Sequence, residues 1–257
     1  MIRLLAAALL ALSPVEGLAL SPVEGLLPSS ADPVRIVCIG DSITQGRKGN
    51  GAASPPTQSY RYPLWKKLVD LGADVTFVGS LNGGFEGDPE WPDYKGKKFD
   101  RAHEGHWGWT TRAVREKLPE WIKGYTPDVA IILLGTNDAN PKLNMTLDDT
   151  AKEMEQLIGI LRSKNPKVTV LLGKPFMEWK PFPEMRDRFD ALAKAKSTEA
   201  SPVVTVDASQ GWVSKPDAPG THTVDWVHPN AEGDAKLAGA FLDALQPQLR
   251  RLGALKK

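Results

Sequence analysis

Residues 34–46 read Val34-Arg-Ile-Val-Cys-Ile-Gly-Asp-Ser-Ile-Thr-Gln-Gly46. The apolar, β-branched run over Val34–Ile39 predicts a buried strand, and the Gly-Asp-Ser after it predicts a sharp turn with one hydroxyl at its tip. Ligands bind at the carboxyl ends of strands in open α/β sheets, so Ser42 is a candidate nucleophile. An ordinary turn serine is the simpler interpretation of this stretch alone, and three later stretches reverse that preference.

Apolar runs of this kind recur along the chain and alternate with helical patterns. The runs predict strands at Val34–Ile39, Val75–Gly79, Val129–Leu134, Val168–Leu172 and Val203–Val206. Amphipathic helices are expected at 60–71, 110–123, 147–163, 184–200 and 230–249, with Pro119 bending or restarting the second. Strands that alternate with helices are typical of βαβ units. The predicted fold class is therefore α/β, a three-layer αβα sandwich around a five-stranded, mostly parallel sheet.

The composition is that of an ordinary globular enzyme or binding protein. The chain has 257 residues, of which 41% are hydrophobic and 25% are charged, and this length suits one large domain with a single core. The net charge of +1 gives no indication of a nucleic-acid partner. Cys38 is the single cysteine, so no internal disulfide forms, and its place in a strand predicts a buried, unreactive thiol.

The amino-terminal segment has the pattern of a secretory signal. Arg3 is followed by the apolar run Leu4–Leu12, which is too short to span a bilayer. The segment 11–18 is then repeated at 19–26, and small residues at 29–31 offer a cleavage site. We expect residues 1–31 to be a signal peptide with a duplicated linker and residues 32–257 to form a single domain. That pattern predicts a secreted or periplasmic protein without a stable membrane anchor, and a cytoplasmic chain with a disordered start is the alternative.

The second informative stretch contains Asp225 and His228. A serine hydroxyl needs a base to become a nucleophile at neutral pH, and histidine suits that task. The imidazole in turn needs a partner on its other nitrogen, and Asp225 lies three residues earlier in the same loop. Histidines also occur in loops at positions 103, 106 and 222, but no metal-ligand spacing such as His-Glu-x-x-His is present, so a zinc site is only a minor alternative.

Donors for a developing oxyanion are the next requirement of acyl transfer. Asn137 follows the third predicted strand in Gly-Thr-Asn-Asp, so its amide is expected near Ser42. Gly108 precedes the helix-capping Thr110, and a glycine there allows a close backbone approach. Gly105 is a competing candidate for that donor, and ordinary turns remain the simpler interpretation of each stretch by itself.

Long loops rich in glycine, proline and tryptophan follow the predicted strands, so they gather beside Ser42 at the carboxyl edge of the sheet. They span 47–57, 81–109, 173–183 and 208–227. Flat indole rings exposed on such loops would suit a sugar or another apolar ligand. This set of predicted exposed tryptophans comprises Trp91, Trp107, Trp109, Trp179 and Trp212, whereas Trp65 and Trp121 are expected in the core.

Together these stretches resemble the four conserved blocks of the SGNH (GDSL) hydrolases, in order and over residues 34–245. The resemblance implies a flavodoxin-like parallel sheet, with Ser42 as nucleophile, His228 as base and Asp225 as the residue that orients the base. It also implies an oxyanion hole from the backbone N–H groups of Ser42 and Gly108 and the side chain of Asn137.

Within that family the sequence is most similar to the acetylxylan-esterase branch of carbohydrate esterases. The likeness rests on Tyr60-Arg61, on Phe-Val-Gly-Ser over 77–80, and on the His-Glu-Gly-His-x-Gly-Trp motif over 103–109. It departs from that branch in the insertion Arg47–Ser59 and in the bulky Trp107. The resemblance implies a secreted serine esterase that removes small acyl groups, acetyl above all, from carbohydrate without a cofactor. The predicted substrate-binding residues are Asp41, Trp107, Trp109 and Trp179.

Two other functions remain open at this point. The same machinery serves lipid-directed esterases and thioesterases, but these would need a large apolar groove, and the loops are polar and rich in glycine. A carbohydrate-binding relative with an inactive site is the second alternative. The complete set Ser42, Asn137, Asp225 and His228 argues against it.

Overall fold

The computed structural model describes residues 32–51 and 54–255. The predicted signal peptide and the duplication at 11–26 lie outside the described residues. Within the described part of the chain, none of the helices is both long enough and apolar enough to cross a membrane.

The elements of the fold alternate between strands and helices, as the sequence pattern predicted. The strands are β1 (Val34–Gly40), β2 (Val75–Val78), β3 (Glu104–Gly105), β4 (Val129–Leu133), β5 (Thr169–Gly173) and β6 (Val203–Val206). The helices are α1 (Ser42–Gln45), α2 (Arg61–Asp70), α3 (Thr111–Trp121), α4 (Leu147–Lys164), α5 (Phe182–Lys196) and α6 (Ala231–Arg251). Short 3₁₀ turns follow at Ile122–Gly124, Asn137–Ala139 and Pro141–Leu143.

The sheet is parallel, in the order β2-β1-β4-β5-β6, and β3 pairs in parallel with the end of β1. Helices α3, α4 and α5 pack side by side, and α2 packs on α6. The predicted α/β sandwich is therefore confirmed, with six strands rather than five. The sixth strand, β3, has two residues, which is too short to produce a recognisable alternation of apolar and polar side chains.

Three of the longer helices, α3, α4 and α6, begin with a side-chain cap that the sequence contains. Thr110 accepts a hydrogen bond from the backbone N–H of Ala113, and Asn230 accepts one from Gly233. Thr146 and Asp149 form a reciprocal capping box at the start of α4. Helix α3 includes Pro119 and ends two residues later, where a 3₁₀ turn continues the chain, as expected for a proline inside a helix. Helix α5 begins two residues before its predicted start and ends four residues before its predicted end.

The core lies on both faces of β1, β4 and β5, since every side chain of β4 and β5 is buried. Strands covered on both faces are continuously apolar, which is why these runs were recognisable in the sequence. Cys38 belongs to this core and has no exposed surface, and burial raises the pKa of its thiol to about 12. The predicted burial of this cysteine is confirmed.

Candidate active site

Ser42 lies at the first position of α1, directly after β1 ends. The turn is tight because Gly40 has no side chain: a Cβ there would lie 2.0 Å from Oγ1 of Thr44. Asp41 caps the short helix, since its Oδ1 accepts a hydrogen bond of 2.9 Å from the N–H of Ile43. The local sequence therefore holds the serine at the carboxyl edge of the sheet, where the pattern placed it.

His228 approaches the serine from a closed loop between β6 and α6. Its Nε2 lies 2.8 Å from Oγ of Ser42, and its Nδ1 lies 2.8 Å from Oδ2 of Asp225. The loop is closed by a backbone hydrogen bond from Val224 to the carbonyl of His228, with Trp226 at a positive φ of 75° between them. The three residues predicted to act together are thus joined in one chain of hydrogen bonds.

Asp225 is held as an anion in this arrangement. Its Oδ1 accepts a backbone hydrogen bond of 2.8 Å from His228, in addition to the contacts with the imidazole. Partial burial acts to raise the pKa of Asp225, but the hydrogen bonds and the charge of His228 outweigh it and lower the pKa to about 2. The carboxylate is therefore charged at neutral pH and fixes a proton on Nδ1, which leaves Nε2 free to accept one.

Asn137 lies at the end of β4, which pairs directly with β1 so that Gly40 faces Leu133. Its Nδ2 donates a hydrogen bond of 2.9 Å to the carbonyl of Trp109 and a weaker one of 3.4 Å to Oδ2 of Asp41. Adjacent parallel strands bring the amide beside the serine turn, as the sequence predicted.

Gly105 and Gly108, the two glycines considered as backbone donors, have different surroundings. Gly105 is buried in β3, and its N–H donates a hydrogen bond of 2.8 Å to Nδ1 of His103. Gly108 is exposed in a left-handed conformation with φ of 78°, and a Cβ there would meet no atom within 4 Å. The geometry therefore favours Gly108 over Gly105 as a group that can reach a ligand.

Asp41 was predicted to bind substrate, and the structure places its side chain inside the protein. Its side chain has 0% exposed surface, and it is used in capping α1 and in the contact with Asn137. Burial raises the pKa of this carboxyl to about 7.

The tryptophans predicted to be exposed do not all line the edge of the sheet. Trp212 is 2% exposed and packs on Phe176, so the prediction of an exposed ring is wrong for this residue. Trp91 is of intermediate exposure and packs against Phe99. Trp179 is 39% exposed and lies with Asn137 along one shallow cavity of about 270 Å³. Indoles favour burial wherever a loop folds back on the core, which sequence alone does not reveal.

The indoles at positions 107 and 109 are partly exposed and pack against histidines. Trp107 stacks on His228, with ring centres 4.7 Å apart and an interplanar angle of 12°. Trp109 packs on His106 at 4.8 Å. Trp226 lies between Asp225 and His228 in the same loop and is 51% exposed, and its exposure was not predicted.

The remaining histidines make contacts within the protein. His103 is fully buried, and burial lowers its pKa to about 2. His106 lies 3.2 Å from Glu104 and stacks on Trp121, while Nδ1 of His222 accepts a hydrogen bond from the N–H of Val213. Among residues 32–51 and 54–255, no group of three or more histidine, cysteine or acidic side chains could hold a metal ion.

Sequence analysis missed two residues that hold the nucleophile turn. Arg61 is fully buried and donates to the carbonyls of Thr44 and Gln45, at 2.7 and 3.2 Å. Gln45 in turn accepts a hydrogen bond of 2.7 Å from the N–H of Trp107, which ties the Gly108 loop to α1. The Tyr-Arg pair was noticed as a motif, but its partners are backbone carbonyls and leave no signal in the sequence.

The chain is similar to known esterases in sequence and in structure. The chain is 27% identical to a multidomain esterase of Ruminococcus flavefaciens over 259 aligned residues, which cover 87% of this chain and 30% of that protein. A carbohydrate esterase family 3 structure from Talaromyces cellulolyticus superposes with a TM-score of 0.69 at 26% identity, covering 85% of this chain and 99% of the other.

Two further solved structures have the same fold. A family 3 carbohydrate esterase from Clostridium thermocellum has a TM-score of 0.66 at 26% identity and covers 85% of this chain and 98% of its own. An acetyl esterase that carries a serine-to-alanine mutation was solved with an acetate ion. It has a TM-score of 0.71 at 25% identity, and the match covers 85% of this chain and 99% of the other. Residues 38–236 match the GDSL-like lipase/acylhydrolase family, and the chain belongs to that family.

Proposed function

We propose that this chain is a secreted serine esterase that hydrolyses acetyl and other small acyl esters of carbohydrates. The observation that carries the proposal is the continuous path from Ser42 Oγ through the imidazole of His228 to the carboxylate of Asp225, with 2.8 Å at each step. An inactive binding protein has no need of this alignment, because it costs conformational freedom in a partly exposed loop.

In the proposed reaction, Oγ of Ser42 attacks the ester carbonyl carbon while Nε2 of His228 takes the hydroxyl proton. The imidazolium that forms is stabilised by Asp225, and it then gives the proton to the departing sugar oxygen. Water, activated by the same imidazole, attacks the acyl-enzyme and releases the carboxylic acid with the serine restored. Each half-reaction moves one proton through His228, and no cofactor enters the balance.

The oxyanion of each tetrahedral intermediate would lie among the N–H groups of Ser42 and Gly108 and the side chain of Asn137. The long 3.4 Å contact from Asn137 to Asp41 supports this role, since an N–H that is only weakly bonded there remains available to a developing negative charge beside it. The stronger contact with Trp109 fixes the orientation of the amide.

The choice of a small acyl group on carbohydrate draws on several observations. Trp107 covers one face of His228, and Trp179 offers an exposed flat ring at the cavity beside Asn137. A short acyl chain suits a site bounded by indoles, and sugar faces stack on exposed ones. The names of the similar solved structures, which include carbohydrate esterases and an acetyl esterase, support the same substrate class.

The secreted location is proposed from the amino-terminal sequence. Arg3 and the apolar run Leu4–Leu12 have the order of a signal peptide. Extracellular polysaccharide is also where an esterase of this kind would meet its substrate. Expression of the full chain with detection of the processed protein outside the cytoplasm tests this part separately.

The deciding experiment is an activity panel on the wild type and Ser42→Ala. We expect release of acetate from acetylated oligosaccharides and hydrolysis of p-nitrophenyl acetate, with both lost in the mutant. A preference for octanoyl esters would favour a lipid-directed acylhydrolase. Binding of glycans with no hydrolysis would identify an inactive relative.

A further inference from the structure

The segment 47–59 leaves the nucleophile turn directly after Gly46. Its first residue, Arg47, lies between the backbone at Thr57 and the backbone at Phe85. Arg47 and Thr57 exchange backbone hydrogen bonds of 2.9 and 3.1 Å, and Arg47 also bridges in parallel to Phe85. The backbone position of Arg47 is therefore determined by two separate loops.

The side chain of Arg47 points towards the proposed catalytic groups and is only 11% exposed. Its Nε donates a hydrogen bond of 3.0 Å to the carbonyl of Pro55, which anchors the guanidinium within its own loop. One terminal nitrogen lies 3.7 Å from Oδ2 of Asp225, the oxygen that is also 2.8 Å from His228. The guanidinium carbon is 5.3 Å from the centre of the Trp107 ring.

Two aromatic rings, those of Phe85 and Trp107, connect the same loops to the imidazole. Phe85 stacks on Trp107 with ring centres 4.6 Å apart and an angle of 14°. Trp107 stacks on His228 at 4.7 Å and 12°. The backbone of Phe85 is hydrogen-bonded to Gly46 and Lys48, on either side of Arg47. Arg47 also lies beside Trp107, so it borders the stack and contacts the carboxylate at its far end.

We propose that Arg47 is a positioning residue for the esterase, acting on His228 through Asp225. This inference rests on the proposed function. Asp225 lies in an exposed loop, and the ion pair restricts where its carboxylate can point. The positive charge also offsets part of the negative charge of Asp225, which makes the imidazole a less basic acceptor.

The charged groups around the imidazole determine the direction in which the acid limb of kcat/KM moves when Arg47 is replaced. Asp225 contacts Nδ1, the buried carboxyl of Asp41 interacts with His228 from α1, and Arg47 approaches from the 47–59 loop. Arg47 is the cation of this set, so removing it favours the protonated imidazole. The acid limb of kcat/KM should then move to higher pH, because only the neutral imidazole accepts the serine proton.

The test uses Arg47→Gln, which removes the charge and keeps a donor for the carbonyl of Pro55. We expect the acid limb to move up by about 0.5 pH unit, a modest shift because Asp225 is partly exposed to solvent. The plateau kcat should fall about threefold to tenfold, with KM for p-nitrophenyl acetate nearly unchanged, because a less fixed base slows the chemical step. Arg47→Lys keeps the charge and should restore the position of the acid limb.

The matched control is Lys48→Gln, which removes the same charge from the next, exposed residue. Its pH profile should coincide with the wild type at 0.15 M salt, where charges far apart in solvent are screened. Thermal melting of all variants verifies that each is folded. A second measurement places Arg47→Gln in an Asp225→Asn background, where it should have little further effect if it acts through the carboxylate.

Equal pH profiles and equal kcat for Arg47→Gln and Lys48→Gln would overturn this inference. Fully additive losses in the Asp225→Asn background would overturn it as well, since they would show an action on another group. A wild type without esterase activity would instead defeat the proposed function. The two failures are therefore distinguishable.

Discussion

Nδ2 of Asn137 lies 3.4 Å from Oδ2 of Asp41, which joins the turn after β4 to the turn after β1. These strands are direct neighbours in the sheet, so the contact crosses 96 residues of sequence. Asp41 is the residue before the proposed nucleophile and also caps its helix. The amide of Asn137 is thereby held at a fixed position relative to Ser42.

Replacing Asn137 by alanine should mainly affect the transition state. We expect kcat to fall by roughly 100- to 1,000-fold with a smaller change in KM, as for the loss of one oxyanion-hole donor. Steady-state kinetics on p-nitrophenyl acetate measure both constants, with the exposed Asn82→Ala as the control. A normal kcat in Asn137→Ala would remove this residue from the proposed oxyanion hole.

Ser42 and His228 should behave as one catalytic unit, because a nucleophile without its base gains little. Ser42→Ala and His228→Ala should each abolish most turnover, and the double mutant should be hardly slower than either single mutant. The measurement is kcat for the three variants at one pH, with melting temperatures as the control for folding. If the double mutant lost as much activity as the two single losses multiplied together, this would contradict a shared proton transfer.

Asp225→Asn should change both the rate and its pH dependence. The pKa of Asp225 is lowered to about 2, so the carboxylate is charged above about pH 4 and contributes no step to the acid limb there. We expect a single-proton acid limb in the wild type. In the mutant, kcat/KM should be about 100- to 10,000-fold lower, since the imidazole loses its orienting partner. The acid limb should move to lower pH, because the anion that favours imidazolium is gone.

A pH–rate profile of both proteins on a soluble acetyl ester measures these effects. An acid limb that is absent down to pH 4 in the wild type would contradict a histidine base. Activity that is lost when metal ions are chelated and restored by added zinc would also contradict a histidine base.

The acyl-chain preference should follow from the indoles around the site. Trp107 lies flat on His228, and Trp109 is held against His106, which leaves room for short acyl groups. We expect kcat/KM for p-nitrophenyl acetate to exceed that for the octanoate by a wide margin. Trp179→Ala should weaken binding of acetylated oligosaccharides without changing the hydrolysis of p-nitrophenyl acetate. The exposed ring of Trp179 lies at the cavity beside Asn137, where a sugar but not a small ester would reach it. A better rate with octanoate would favour a lipid-directed enzyme.

Alanine at Gly105 and at Gly108 should affect the protein in different ways. A Cβ at Gly105 would lie 2.5 Å from the backbone nitrogen of Gln45, so α1 must shift, and we expect a loss of about 1–3 kcal/mol in the free energy of unfolding together with a fall in kcat. At Gly108 the space is open, and the cost is the strain of a positive φ, about 1–2 kcal/mol. Chemical denaturation measures the stability of the two variants, and steady-state kinetics measure their kcat. A variant at Gly105 that is as stable and active as the wild type would contradict the tight packing of β3 on α1.

Much of the fold was predictable because its determinants are local. Strands buried on both faces are continuous apolar runs, and α3, α4 and α6 carry their own side-chain caps, so these elements could be identified without knowledge of their partners. Parallel strands end at one edge of the sheet, and this rule placed Ser42 and Asn137 together. The exception was β3, where two residues pair with β1 only because the rest of the sheet is already in place.

The sequence by itself determined the sheet, the turns at its carboxyl edge and the residue types capable of serine ester hydrolysis. The tertiary structure decided which loop residues reach one another across long stretches of chain. It buried Trp212 and Asp41, distinguished Gly108 from Gly105, and placed Arg47 beside Asp225. The physical reason is that loop contacts depend on packing between segments far apart in sequence, which leaves no periodic pattern, whereas strands and helices repeat their environment every two or about 3.6 residues.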